Sequence, residues 1–83
     1  MSEENVDVIK LFKEAAFEVS GRRLDDLTLD TPLADLALDS VLVLEAVSHV
    51  EQSLAVRFED EDLSRIQTMR DLGALIQKAR RAA

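Results

Sequence analysis

The 83-residue sequence predicts one all-α domain, residues 1–83, with four helices, a long loop after the first helix and a short third helix. Three observations favour this fold class. Glycine and proline are scarce, with two and one occurrences, so helices can run without interruption. Apolar residues recur three and four positions apart in several stretches. The sequence also lacks the strict apolar–polar alternation that is typical of a half-buried strand.

The first helix is predicted over residues 4–19, because four apolar residues share one of its faces: Val8, Phe12, Ala15 and Val19. Gly21 follows as a candidate C-cap residue. Residues 20–39 carry turn-forming residues and make a loop that is long for a compact domain. Leucines recur through this loop, and we expect some of them to hold it against the core: Leu24, Leu27, Leu33 and Leu36.

The second helix is predicted over residues 41–54, with one inward-facing apolar stripe: Val43, Val47, Val50 and Leu54. Ser40 precedes this stripe in the position of an N-cap residue. Leu42 lies about 100° off the stripe. It shares a ridge with three residues that we expect at the flank of the helix and not in the deep core: Ala46, His49 and Ser53. Val41 and Leu44 are expected on the exposed side, where they would border Ser40.

A short third helix is predicted over residues 60–66, with three acids at its positive end and two core-facing residues: Asp60, Glu61 and Asp62, then Leu63 and Ile66. Thr68 and Asp71 resemble a capping box at the start of the last helix, with Asp in place of the usual Glu. The last helix has an amphipathic pattern with four core-facing residues: Leu72, Leu75, Ile76 and Ala79.

The formal net charge of −7 is concentrated in residues 24–56, which contain no Lys or Arg. Seven acids lie there: Asp25, Asp26, Asp30, Asp35, Asp39, Glu45 and Glu51. The ten acids and ten bases of the remaining sequence cancel. Two interpretations stay open, namely a solvated surface and a docking face for basic partners. Nucleic acid is not an expected partner, because the acids would repel its phosphates.

Composition limits the chemistry and the surroundings of the chain. The absence of cysteine excludes disulfides, thiolate catalysis and cysteine-based zinc sites. The longest apolar run, residues 41–44, is too short to span a membrane. The acidic start, residues 1–4, does not resemble a signal peptide. We therefore expect a monomer that acts in the cytoplasm and makes no membrane contact.

A serine hydrolase is the enzyme alternative, and the sequence argues against it. The only histidine, His49, lies nine residues beyond Ser40 in the same predicted helix, about 13.5 Å along its axis. The residues around Ser40 also lack the glycines of a nucleophile elbow. The acidic run at residues 59–62 lacks the ligand spacing of a calcium-binding loop. We therefore expect a non-catalytic chain without a metal site.

The segment at residues 35–41 closely resembles the phosphopantetheine attachment site of acyl and peptidyl carrier proteins. A long acidic loop ends in Leu-x-x-Asp-Ser, and an apolar residue and an amphipathic helix follow. Residues 31–36 and 56–59 are similar to the segments that precede the site and the third helix in that family. The resemblance covers nearly the whole chain. It implies a four-helix carrier fold and a 4'-phosphopantetheine, taken from coenzyme A, on Ser40.

Three departures from the family pattern concern the pathway and not the attachment. Ala37 stands where many carriers have Gly, Leu42 where housekeeping fatty-acid carriers have an acid, and Glu59 where they often have Pro. These residues favour a dedicated carrier in polyketide, antibiotic or other specialised biosynthesis, although fatty acid synthesis stays open. Two alternatives remain: a peptidyl or aminoacyl carrier of a nonribosomal peptide-type pathway, and an unmodified helical interaction module.

The resemblance implies a phosphoprotein that holds acyl intermediates as thioesters and works with enzymes. Expected partners are a phosphopantetheinyl transferase and acyl-loading, ketosynthase, acyltransferase or adenylating enzymes with basic docking patches. We expect seven residues around Ser40 to contact them: Asp39, Val41, Leu42, Leu44, Glu45, Ser48 and Glu51. Two interpretations of Asp39 stay open. It positions the metal or basic groups of the modifying enzyme, or it complements the positive end of the helix.

Overall fold

The computed structural model describes residues 7–36 and 38–82. These residues form four helices, α1 (Val8–Ser20), α2 (Ser40–Leu54), α3 (Asp60–Leu63) and α4 (Met69–Ala82), and a single 3-10 turn at Leu33–Asp35. The predicted all-α fold, with its long first loop and short third helix, is confirmed. None of the described helices has the length and apolar character needed to cross a membrane.

Two helix boundaries differ from the sequence prediction by three residues or more, for local reasons, and two others differ by one residue. α1 begins at Val8 and not at residue 4, because the Asp7 carboxylate caps it by accepting a hydrogen bond from Lys10 N at 3.1 Å. Residues 4–6 themselves lie outside the described part of the chain. α3 ends at Leu63 and not at residue 66, because the backbone then changes to bonds three residues apart, such as Arg65 N to Asp62 O at 3.1 Å.

The core is almost entirely aliphatic and lies where α1 packs on α2 and α4. Phe12 and Phe58 are its two aromatic members. Its other residues come from α1, the first loop, α2 and α4: Val8, Ala15, Ala16, Leu24, Leu27, Ala46, Val47, Val50, Met69, Leu72, Leu75 and Ile76. The inward faces predicted for α1, α2 and α4 are therefore correct, with Val19, Val43, Leu54 and Ala79 half-buried at their margins.

Ala46 corrects the predicted flank of α2. It was expected beside the core, but its side chain is fully buried. Ala15 and Ala16 of α1 are also buried, and α1 packs more extensively on α2 than on any other helix. Small side chains let two helix backbones approach closely, so an alanine can lie inside an interface that sequence periodicity assigns to a flank.

The long loop between α1 and α2 is held against both the core and the start of α4. Leu24 and Leu27 are buried, and Leu33 and Leu36 are half-buried against the core, as expected. Leu33 N donates to Gln67 O at 2.7 Å, and Arg70 N donates to Leu29 O at 2.9 Å. The exposed Arg70 side chain also pairs with Asp30 at 3.0 Å. These bonds fix the path of the loop on its way to Ser40.

Two predicted helix-end signals are confirmed. Gly21 adopts φ +74°, a left-handed conformation that favours glycine, and its N–H donates to Phe17 O at 2.8 Å. Thr68 and Asp71 form the expected reciprocal capping box. Asp71 N donates to Thr68 Oγ1 at 3.3 Å, and Thr68 N donates to Asp71 Oδ2 at 3.2 Å. Residues close in sequence therefore cap the end of α1 and the start of α4.

Candidate functional site

The candidate site centres on Ser40, which is exposed and is the first residue of α2. Ser40 was expected as the N-cap, and this expectation is wrong, because Asp39 is the cap. The Asp39 backbone is extended, with φ −78° and ψ 172°, and its carboxylate accepts a hydrogen bond from Leu42 N at 2.9 Å. Its carbonyl oxygen accepts the first intrahelical bond, from Val43 N at 3.0 Å. Both features define an N-cap residue.

This arrangement separates capping from any chemistry on the neighbouring hydroxyl. The helix start provides a partial positive charge that favours a phosphate group on Ser40. One first-turn amide, Leu42 N, already donates to the Asp39 carboxylate. Of the two interpretations of Asp39, complementing the helix end therefore has a direct structural basis.

The capping geometry leads to a stability prediction for two adjacent residues. Asp39→Ala is expected to lower the free energy of unfolding by about 1 kcal/mol, because it leaves the helix start without its side-chain acceptor. Ser40→Ala is expected to change it by less than about 0.5 kcal/mol, as other exposed substitutions do. Urea unfolding of both variants measures the difference. Asp39→Asn is the matched control, since Asn caps as well as Asp, and an equal loss in all three variants would contradict the assignment.

A groove lies next to Ser40 on the side of α1. Val41 and Leu44 were expected to be exposed and are 61% and 57% exposed. With Val19 of α1 they line a groove of about 430 Å³ between the two helices. Its remaining lining is polar: Glu45, Ser48, His49 and Gln52. This groove therefore combines three aliphatic side chains with four polar ones, of which Glu45 is the acid.

A second groove of about 440 Å³ reaches Ser40 from the side of α3. Apart from Ser40, its lining is aliphatic and comes from the loop, α2 and the α3 segment: Leu33, Ala34, Leu38, Val43, Leu44, Val47, Leu63 and Ile66. This lining has no aromatic ring and no charge, so the groove suits a flexible aliphatic chain.

The seven residues expected to contact partners differ in exposure. Asp39, Val41, Leu44, Glu45 and Ser48 are exposed, and together they follow α2 from its cap into its third turn. The other two, Leu42 and Glu51, are half-buried.

Glu51 already takes part in a bond within the fold, since its Oε2 accepts a hydrogen bond from Phe58 N at 2.6 Å. His49 is half-buried, in agreement with the partly exposed helix residue expected from the sequence.

Sequence reasoning missed two parts of this site. Val19 lines the groove beside α1, although the helical pattern identified it only as an inward-facing residue. Leu63 and Ile66 were expected in the core, and they also form one wall of the groove beside Ser40. Periodicity identifies an apolar face but does not distinguish a packed interface from the wall of a groove.

Comparisons with known proteins agree on one family. Residues 10–76 match the family described as the phosphopantetheine attachment site. An acyl carrier protein from Rhodococcus erythropolis is 30% identical over 79 residues, which cover 94% of this chain and 87% of that protein. The crystal structure of an acyl carrier protein from Thermotoga maritima superposes with a TM-score of 0.83 at 30% identity, covering 96% of this chain and 94% of the other.

Carriers of a specialised pathway also resemble part of this chain. An anthracycline acyl carrier protein from Streptomyces sp. is 39% identical over 49 residues, which are 59% of this chain. A second one, from Streptomyces peucetius, is 37% identical over the same length. The matched stretch spans 58% of the length of each of these two relatives.

Proposed function

Because the chain belongs to the acyl carrier protein family, whose cofactor is a covalently attached phosphopantetheine, we propose that it carries acyl groups as thioesters on such an arm joined to Ser40. The observation that carries this proposal is the exposed Ser40 at the first residue of α2, directly after the Asp39 cap. A phosphodiester on the Ser40 hydroxyl would leave that cap in place. When bound, the arm supplies the thiol that this cysteine-free chain lacks.

The groove on the α3 side of Ser40 supports an aliphatic cargo in this proposal. Its eight lining residues other than Ser40 are all apolar. Burial of each methylene contributes about 0.8 kcal/mol, so a straight acyl chain would gain free energy by leaving water. A polar aminoacyl group would gain much less from the same walls. This difference favours an acyl carrier over the alternative of a peptidyl carrier.

The pathway assignment is also part of the proposal. The departures at Ala37, Leu42 and Glu59 and the likeness to two anthracycline acyl carrier proteins support a role in polyketide or other specialised biosynthesis. The chain would act with a phosphopantetheinyl transferase and with acyl-loading or condensing enzymes, and not as an enzyme itself. A monomer in the cytoplasm remains the expected form.

One experiment tests the central claim. The purified chain is incubated with coenzyme A and a phosphopantetheinyl transferase, and its intact mass is measured. We expect the mass to rise by one phosphopantetheine group. No gain, under conditions in which a known carrier is fully modified, would support the unmodified interaction module instead. Transfer of acyl and aminoacyl groups to the modified chain then separates the two kinds of carrier.

Electrostatic docking gives a prediction about the rate of this modification. Glu45 is exposed, borders the groove beside Val41 and Leu44, and lies in the segment without bases. Glu45→Lys is expected to slow loading by roughly two- to tenfold at low salt, because it reverses a charge that attracts a basic enzyme surface. Added salt should slow loading of the unaltered chain.

The matched control is Glu14→Lys, which makes the same charge change at an exposed position of α1. It should leave the loading rate close to that of the unaltered chain. Equal slowing by both substitutions would show that only net charge matters. A rate that depends on neither salt nor Glu45 would refute the electrostatic docking face.

A further inference from the structure

The segment that contains α3 lies between two well-anchored points. At its start, Phe58 is buried and its N–H donates to Glu51 Oε2 at 2.6 Å. At its end, Gln67 N donates to Asp71 Oδ2 at 2.9 Å, and Gln67 O accepts from Leu33 N at 2.7 Å. Residues 59–66 between these points include no fully buried side chain. Between its anchors the segment is therefore held by the half-buried Leu63 and Ile66, which pack against the core, and by few other interactions.

One ion pair joins the middle of this segment to α4. Lys78 Nζ donates to Asp62 Oδ2 at 3.1 Å. The Asp62 side chain is 17% exposed, although that of Lys78 is 69% exposed, so the pair is partly shielded from water on the α3 side. The next residue, Leu63, forms a wall of the groove beside Ser40. A displacement of α3 that breaks the ion pair therefore moves a wall of this groove.

We propose that the Asp62–Lys78 ion pair limits the opening of the groove and thereby determines how long an aliphatic acyl chain the protein shields from water. This inference rests on the proposed carrier function, and it adds two specificity-determining residues to it. A partly shielded ion pair holds α3 more weakly than packed apolar side chains would. It can break when a longer chain requires space, and the free energy needed to break it opposes that opening.

The first test needs no cargo. Amide hydrogen exchange of residues 60–66 is measured in the unmodified full chain for Lys78→Met, which keeps the apolar stem of the side chain and removes its charge. We expect exchange to become roughly two- to fivefold faster, because loss of a weak ion pair raises the population of the open segment by about this factor. Arg81→Met is the matched control, since it removes one positive charge from an exposed position of the same helix. Equal exchange in both variants would overturn the proposal.

The second test uses the modified protein loaded with straight acyl chains of increasing length, and measures thioester hydrolysis. In Lys78→Met the longest well-protected chain is expected to grow by about one methylene group. Asp62→Asn should have the same effect, and the double variant should add nothing to either single change. An unchanged length profile would overturn the proposal. If the chain gains no mass on incubation with coenzyme A and the transferase, the carrier function itself is refuted. The role of the Asp62–Lys78 ion pair towards cargo is then refuted as well.

Discussion

Ser40→Ala is expected to abolish loading completely. The substitution removes the hydroxyl of the first residue of α2, and with it the oxygen that would form the phosphodiester. The chain should still fold, because Asp39 and not Ser40 provides the cap of the helix. Intact-mass measurement after incubation with coenzyme A and the transferase should therefore show no gain, with a circular dichroism spectrum like that of the unaltered protein.

Ser53→Ala is the matched control, since Ser53 is another exposed serine on the same helix and is not among the expected partner contacts. It should load fully and carry one phosphopantetheine. Loss of loading in Ser53→Ala with retention in Ser40→Ala would show that the arm is attached at Ser53 and not at Ser40. Full loading of the Ser40→Ala variant would refute the assignment of the site, and the carrier function would then require another hydroxyl.

A second large effect is expected from two phenylalanines of α1 that have opposite surroundings. Phe12 is fully buried, whereas Phe17 is 51% exposed. Phe12→Ala should lower the free energy of unfolding by about 3–5 kcal/mol, because it removes a large apolar side chain and leaves a cavity. This is a large share of the total for a domain of this size. Phe17→Ala should change it by less than about 0.5 kcal/mol.

Urea unfolding of the two variants measures this difference directly. Both substitutions remove the same atoms from the same helix, so helix propensity contributes equally to each. Similar losses in the two variants would contradict the packing of α1 on α2 and α4. A near-complete loss of structure in Phe12→Ala alone would agree with it, because the core of an 83-residue chain is small.

The elements that sequence reasoning predicted correctly are those that local rules determine. The inward faces of α1, α2 and α4 follow from the spacing of apolar residues, and the Thr68–Asp71 capping box follows from two residues three apart. The choice between Asp39 and Ser40 as the cap does not follow from such rules. Both residue types cap well, and only the backbone angles of the loop end decide between them.

The features that sequence reasoning missed depend on contacts between distant parts of the chain. The burial of Ala46 requires the close approach of α1, and the groove beside Ser40 requires the α3 segment to lie beside α2. The bond from Phe58 N to Glu51 also joins residues that no periodic pattern relates. Apolar spacing shows which residues leave water, but it does not show which surfaces remain separated by a groove.

The cap at Asp39 has a consequence for how other proteins recognise this chain before and after modification. Because the bond from Leu42 N to Asp39 does not involve the neighbouring hydroxyl, we expect the start of α2 to keep the same geometry if that hydroxyl carries a prosthetic group. The exposed face of α2 would then have the same shape in the unmodified and the modified chain for every enzyme that binds it. An enzyme that must tell one stage of a synthesis from the next would have to recognise the tethered group itself.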